Sequence, residues 1–253
     1  MIRIINKSEQ AYGAFNGGEI VENKPLGFPR EGGATKAYSS LFYWANAIAK
    51  KDSTIGLHPH QGFEIMSFVL DGEIKHFDTK ANEWKPLQKG DAQIIRSGNG
   101  ISHSEFMGKD SRMFQIWLDP NLSKTMVQEA SYDDYKEGDF PTSQEGETTI
   151  THYAGDKGLM HLDTPKTHIQ KWSLNNNTTF EAKLDKDQIA SIYLLEGELS
   201  INGKELSIDD YIILEEETQA TLSGSGEVFV IISPRQTDYP TYAAMMQRRM
   251  GAN

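Results

Sequence analysis

Phe63-Glu64-Ile65-Met66-Ser67-Phe68-Val69-Leu70-Asp71-Gly72-Glu73-Ile74-Lys75-His76-Phe77 reads as an apolar strand, an acid-glycine turn and a second strand that alternates polar with apolar side chains. β-Branched and aromatic residues pack well on a pleated surface, and Asp-Gly interrupts such runs with a turn. The same pattern continues on the C-terminal side. Gly90-Asp91 turns into Ala92-Gln93-Ile94-Ile95, and Met113-Phe114-Gln115-Ile116-Trp117-Leu118 stops at Asp119-Pro120. Short strands with glycine-bearing turns at this density predict an all-β, antiparallel sandwich or barrel.

The pattern returns in the second half. Ile189-Ala190-Ser191-Ile192-Tyr193-Leu194-Leu195-Glu196-Gly197-Glu198-Leu199 again reads as apolar strand, acid-glycine turn and alternating strand. Ile208-Asp209-Asp210-Tyr211 matches the style of Lys89-Gly90-Asp91-Ala92, and Glu227-Val228-Phe229-Val230-Ile231-Ile232 ends at Ser233-Pro234. An internal duplication is the economical reading. It predicts a first unit over residues 1–130, a linker over 131–147, where aliphatic residues are scarce, and a second unit over 148–235. The tail, 236–253, contains Thr241-Tyr242-Ala243-Ala244-Met245-Met246-Gln247-Arg248-Arg249-Met250, a run of helix formers.

Composition narrows the chemistry. Of 253 residues, 36 are acidic and 25 basic, giving a net charge of −11 that disfavours binding to a phosphate backbone. There is no cysteine, which removes disulfides, thiolate zinc sites, iron–sulfur clusters and cysteine nucleophiles. Any metal must therefore sit on nitrogen and oxygen ligands. No run approaches the ~18 apolar residues of a membrane span. Met1-Ile2-Arg3-Ile4-Ile5-Asn6-Lys7 lacks the apolar stretch of a signal peptide, so a soluble, cytoplasmic protein is expected.

Seven histidines remain, and their placement is uneven, with none in residues 169–253. In His58-Pro59-His60 two imidazoles stand at i and i+2, so on a strand both project from one face about 6–7 Å apart, a spacing that suits two ligands of one metal. Downstream comes Ser102-His103-Ser104-Glu105, where His103 and Glu105 share a face in the same way, preceded by the glycine-rich turn Arg96-Ser97-Gly98-Asn99-Gly100. If the two segments pair, three imidazoles and a carboxylate converge. Such a donor set suits Fe(II), Mn(II), Ni(II), Cu(II) or Zn(II). His76 is expected as a surface strand residue, and His152, His161 and His168 as ordinary polar positions.

His58-Pro59-His60-Gln61-Gly62-Phe63-Glu64 with Leu70-Asp71-Gly72-Glu73-Ile74-Lys75-His76-Phe77-Asp78 resembles the first motif of the pirins, a bicupin family. Gly90-Asp91, Gly98-Asn99-Gly100-Ile101 and His103-Ser104-Glu105 resemble the second, and Gln115-Ile116-Trp117-Leu118 the strand that follows. The close match covers about residues 56–120. The duplication extends it more weakly to about 235, and residues 1–55 match poorly. The resemblance implies two cupin barrels in tandem with a short C-terminal helix. It also implies a mononuclear metal, usually iron, on His58, His60, His103 and Glu105, with a C-terminal copy that lacks ligands. Many other cupins use instead the carboxylate that stands here as Glu64; Glu64 is expected behind the ligands or in the cavity wall.

The resemblance implies two kinds of function. Several bacterial pirins are similar to flavonol dioxygenases, the quercetin 2,3-dioxygenases, which cleave the ring with O₂ and release carbon monoxide and a depside. For that chemistry Glu105 is the candidate base, and Phe63, Met66 and Phe68 are candidates for an apolar cavity. Animal pirins act instead as iron-dependent redox-sensing cofactors through protein partners. A metal-dependent sugar isomerase on the same barrel is a third reading, but no phosphate pocket is legible.

Overall fold

Gly72, with a backbone φ of 71°, ends the strand Glu64–Asp71 and opens Glu73–Asp78, and the two strands enter different sheets. A side chain here would meet Ser111 Cβ at 2.8 Å, so both the backbone angle and the available space require glycine. The computed structural model describes residues 1–251 and resolves two units.

The first unit contains Gln10–Asp139, the short segment Asp163–Pro165 and the tail from Thr237. It has two antiparallel sheets. The larger orders its strands Ser131–Tyr135, Ala92–Arg96, Glu64–Asp71, Arg112–Leu118, Leu41–Ala49, Ile20–Leu26 and Ala11–Phe15. The smaller orders Ser53–His60, Ile101–Met107, Glu73–Asp78 and Trp84–Gln88. Ile20, Ala47, Val69 and Met113 from the larger sheet pack with Ile74, Leu87 and Met107 from the smaller in one buried cluster. Burying each larger aliphatic side chain contributes roughly 1.5–3 kcal/mol, so this cluster holds the two layers face to face.

The tail helix Tyr242–Gly251 belongs to this unit, as the run of helix formers predicts. Its first turn is held by the buried Asp119, whose Oδ1 and Oδ2 accept from Tyr242 N–H at 3.0 Å and Ala243 N–H at 2.9 Å. These bonds satisfy donors that have no partner inside a helix.

The second unit contains Met1–Glu9, Phe140–Leu162 and Lys166–Gln236. Its sheet runs Ile2–Ile5, Tyr211–Glu215, Gln188–Ile201, Gln219–Pro234, His168–Lys183, Thr148–Ala154 and Thr142–Glu145, with Lys204–Glu205 beside Gln188–Ile201. Trp172, Leu194, Leu199, Ile212, Leu222 and Val230 belong to its buried core.

Three sequence expectations change here. The acid-glycine pair Glu196-Gly197 does not separate two strands. Gln188–Ile201 continues through it with a register shift between Leu194 and Glu196. Gly197, at φ 91°, lies so close to Ser225 and Gly226 that a Cβ would collide with their backbone, so the pair marks a bulge inside a strand. The stretch 131–147, expected as a linker, also contributes strands. Ser131–Tyr135 pairs with Ala92–Arg96, and Thr142–Glu145 pairs with Thr148–Ala154. Both are terminal strands in their sheets, where polar residues keep an edge from pairing further, so their composition hid them. Finally, residues 1–9 leave the block 1–130, because Ile2–Ile5 pairs with Tyr211–Glu215 in the sheet of the second unit, while the tail from Thr237 joins the first unit.

Candidate metal centre

His58 and His60 stand two residues apart on Ser53–His60, and His103 lies directly opposite His58 on Ile101–Met107. The pleat turns all three rings to one face. Ring centroids lie 4.4 Å apart for His58–His103 and 4.8 Å for both His58–His60 and His60–His103. One nitrogen from each ring falls within 4.8 Å of the other two, which makes these histidines the metal-capable cluster among the described residues.

The hydrogen bonding fits a cation. His58 Nδ1 lies 2.7 Å from the carbonyl of Gly56. A carbonyl only accepts, so Nδ1 carries the proton and Nε2 presents a lone pair. His103 is fully buried, yet neither of its ring nitrogens has a hydrogen-bond partner, and His60 Nε2 is buried and unpartnered as well. Each such atom costs roughly 1–3 kcal/mol unless something coordinates it. Burial pushes His103 down to about 2 and His60 down to about 3, with the neighbouring imidazoles adding to the effect. Both rings are therefore neutral, the form in which imidazole binds metal.

Glu105 lies just beyond a register break that separates it from His103 along Ser53–His60. Its carboxylate crosses to the larger sheet. Ser67 Oγ donates to Oε1 at 3.0 Å and Gln115 Nε2 donates to Oε2 at 2.5 Å, while Gln93 Nε2 supports Ser67 at 3.0 Å. Glu105, Ser67 and Gln93 are fully buried and Gln115 is nearly so. Both carboxylate oxygens act as acceptors in this network, and Glu105 stands outside the three-histidine cluster. The sequence pattern does not single out Ser67, Gln93 and Gln115 as supports of Glu105. The available signal was a single polar residue interrupting each of three apolar strands.

Glu64 is nearly inaccessible and engaged elsewhere. It accepts from Asp163 N–H at 2.7 Å, Thr164 N–H at 2.9 Å and Thr164 Oγ at 2.5 Å. Burial raises its carboxyl to about 7, against the pull of the Thr164 and Asp163 donors. It anchors the segment Asp163–Pro165 rather than facing the imidazoles.

His76 is not a surface residue. It is fully buried, because Ile74, His76 and Asp78 form the inward face of Glu73–Asp78 while Phe77 faces outward against Trp84. Its Nε2 pairs with Asp78 at 2.8 Å and its ring stacks on Tyr132 at 4.4 Å, 5.7 Å from His103. Burial lowers His76. Although burial alone would raise Asp78, hydrogen bonds from Ala81 N–H, His76 and Lys80 N–H hold it low. In the second unit His152 is also buried, with ring nitrogens 2.8 Å from Ser143 Oγ and 3.3 Å from Gln170 Nε2.

A cleft of about 530 Å³ reaches His60 between Pro59, Gln61, Thr79, Asn99 and Ser102. The Trp117 and His60 rings meet edge to face, with centroids 4.8 Å apart. Phe63 lines a separate aromatic cavity with Phe42 and Trp117, whereas Met66 and Phe68 are fully packed in the larger sheet.

Residues 33–118 match the family model described as Pirin. The chain is 24% identical over 199 residues to a quercetin 2,3-dioxygenase of Escherichia coli O157:H7, covering 77% of this chain and 82% of that protein. It is 29% identical over 151 residues to Pirin-1 of Arabidopsis thaliana, covering 58% and 52%. Among solved structures, the bacterial pirin YhhW of Escherichia coli in complex with nickel(II) superposes with a TM-score of 0.77 at 20% identity, covering 92% of this chain and 99% of that one. A quercetin 2,3-dioxygenase from Acinetobacter baumannii gives 0.77 at 15% identity, covering 99% and 86%. These likenesses establish the antiparallel, two-unit pirin and cupin fold.

Proposed function

Since the chain carries a Pirin domain at residues 33–118, we propose that it is a mononuclear metal protein and a dioxygenase that cleaves flavonols such as quercetin with O₂. The observation that carries this reading is His103, buried with both ring nitrogens unpartnered and facing two more imidazoles. His58, His60 and His103 hold the metal, with Glu105 as the fourth ligand, and iron(II) is the first choice among the divalent ions that accept such donors. The quercetin 2,3-dioxygenase named among the relatives supports the substrate class. When bound, the ion supplies Lewis acidity toward a substrate oxygen and redox chemistry toward O₂.

The protein's own groups do the rest. The Gly56 carbonyl fixes the His58 tautomer, so that ring needs no rearrangement to ligate. Glu105 takes the flavonol hydroxyl proton, and to do so it exchanges a hydrogen bond from Ser67 or Gln115 for one from substrate. Trp117 packs on His60 and holds that ring in place.

The test is to load the metal-free protein anaerobically with Fe(II), Mn(II), Ni(II) or Cu(II). Flavonol absorbance and oxygen uptake are then followed together. Loss of flavonol matched by oxygen uptake in at least one metal form is expected. If no metal form degrades a flavonol while capture of a protein partner depends on iron oxidation state, the dioxygenase reading gives way to a redox-sensing one.

A further inference from the structure

Phe28, Phe42, Phe63, Trp117 and Tyr242 wall a second cavity in the first unit, of about 610 Å³ and with no residue in common with the cleft at His60. The rings face one another at 4.7 Å for Phe42–Phe63, 5.4 Å for Phe28–Trp117 and 5.7 Å for Phe63–Tyr242. Met246 and Gln247 of the tail helix line it too, and Lys36 is the charged side chain in its lining. A cavity in the range of about 300–1,000 Å³ is the size of a small-molecule site. Phe28, Phe63 and Trp117 are only half-buried, so aromatic faces remain open to an occupant. Such faces select a flat aromatic partner by offset or edge-on stacking, and a lysine in the lining selects an anionic substituent.

Trp117 belongs to this wall and to the metal centre at once. Its ring stands edge to face with His60 at a centroid separation of 4.8 Å, and its Nε1–H donates to Gln115 Oε1 at 3.4 Å. The same Gln115 amide donates to Glu105. A molecule stacked on Trp117 thus bears on a ligand imidazole directly and on the carboxylate through one amide.

We propose that this cavity is a second binding site, for a planar aromatic molecule carrying an anionic group, and that Trp117 couples its occupancy to metal binding at the three histidines. The coupling rests on the metal reading above; the site itself does not.

The experiment begins with metal-free, full-length protein titrated with 8-anilinonaphthalene-1-sulfonate, followed by calorimetry and probe emission. One saturable site per chain is expected. Met246→Trp and Ala37→Trp, which fill the cavity from two sides, should each weaken the probe at least about tenfold, a loss readily resolved by calorimetry, with circular dichroism and metal uptake unchanged. Lys36→Glu should weaken the anionic probe by about three- to tenfold, the scale of an exposed charge pair, and leave the uncharged N-phenyl-1-naphthylamine unaffected. With metal present, probe and metal must alter each other's affinity by the same factor. Trp117→Phe should keep probe binding and lose that reciprocity. Binding that is unsaturable, or indifferent to both cavity-filling variants, overturns the site. Equal metal affinity with and without probe overturns the coupling. His103→Ala separates the two readings, since it should take up no metal and still bind the probe.

Discussion

Ser67 and Glu105 meet between the two sheets of the first unit, with Ser67 Oγ donating to Glu105 Oε1 at 3.0 Å although the residues lie on strands of different sheets. The acid proposed as base and ligand is therefore positioned from the sheet opposite the histidines. Glu105→Gln should retain part of the metal and lose most flavonol turnover, since general-base catalysis typically contributes about 10²–10⁴-fold. Ser67→Ala, which also leaves Gln93 without its acceptor, should lower stability by about 1–3 kcal/mol and turnover less than Glu105→Gln does. Steady-state oxygen uptake and thermal melts check both, and full activity in Glu105→Gln would remove Glu105 as base.

Metal removal should be felt as stability. A ligand held only by the folded state adds about 2.7 kcal/mol at a free concentration one hundred times its Kd. The melting temperature of the wild type should therefore rise with added Fe(II) or Ni(II). His58→Ala and His103→Ala should bind no stoichiometric metal and show no such rise, while keeping the β-rich circular dichroism of the wild type. Stoichiometric metal in both variants would sink the ligand assignment.

His76 offers a contrast. It is a fourth buried imidazole, 5.7 Å from His103, but its Nε2 is committed to Asp78. His76→Ala leaves that carboxylate one donor short and should cost about 1–3 kcal/mol, with metal stoichiometry intact by mass spectrometry of the folded protein. Loss of the metal would instead make His76 a ligand.

Glu64 gives a pH dependence whose sign can be worked out. Burial raises its folded-state carboxyl from 4.5 to about 7. Between those values the folded chain binds more protons at this site than the unfolded chain. The favourable contribution is therefore complete below about 4.5 and is lost as pH rises through about 7, by roughly 3 kcal/mol at 1.4 kcal/mol per unit. Denaturant melts across this window should show stability falling with pH for the wild type on this account, and a flatter profile for Glu64→Gln. Parallel profiles for the two proteins would show that Glu64 does not titrate there.

What the sequence revealed follows from how local each signal is. His58, His60 and His103 were legible because i, i+2 spacing on a strand already puts side chains on one face, and only the pairing of two segments had to be supplied by the fold. His76 obeys the same alternation, but a strand alternating polar with apolar residues does not by itself say which face is inward, and here Phe77 covers Trp84 on the outside. The support of Glu105 by Ser67 and Gln115 depends on which sheet faces which, and no local pattern contains that. Ser131–Tyr135 was missed because a polar edge strand has the composition of a linker, although Tyr132 stacks on His76 from it. Glu196-Gly197 shows that an acid-glycine pair can end a strand or merely bend it, depending on what lies alongside.

The strand Ile2–Ile5 sits in the sheet of the second unit, and the helix Tyr242–Gly251 belongs to the first. Each unit therefore draws a piece from the opposite end of the sequence. During synthesis the histidine-bearing unit cannot be completed when its histidines emerge, because its helix Tyr242–Gly251 is translated only after the strands of the second unit. The earliest strand must likewise wait about two hundred residues for Tyr211–Glu215, a delay whose entropic cost grows only slowly with the length of the intervening loop. Cutting the chain in the middle would separate Ile2–Ile5 from Tyr211–Glu215 and the helix Tyr242–Gly251 from the unit that carries the histidines.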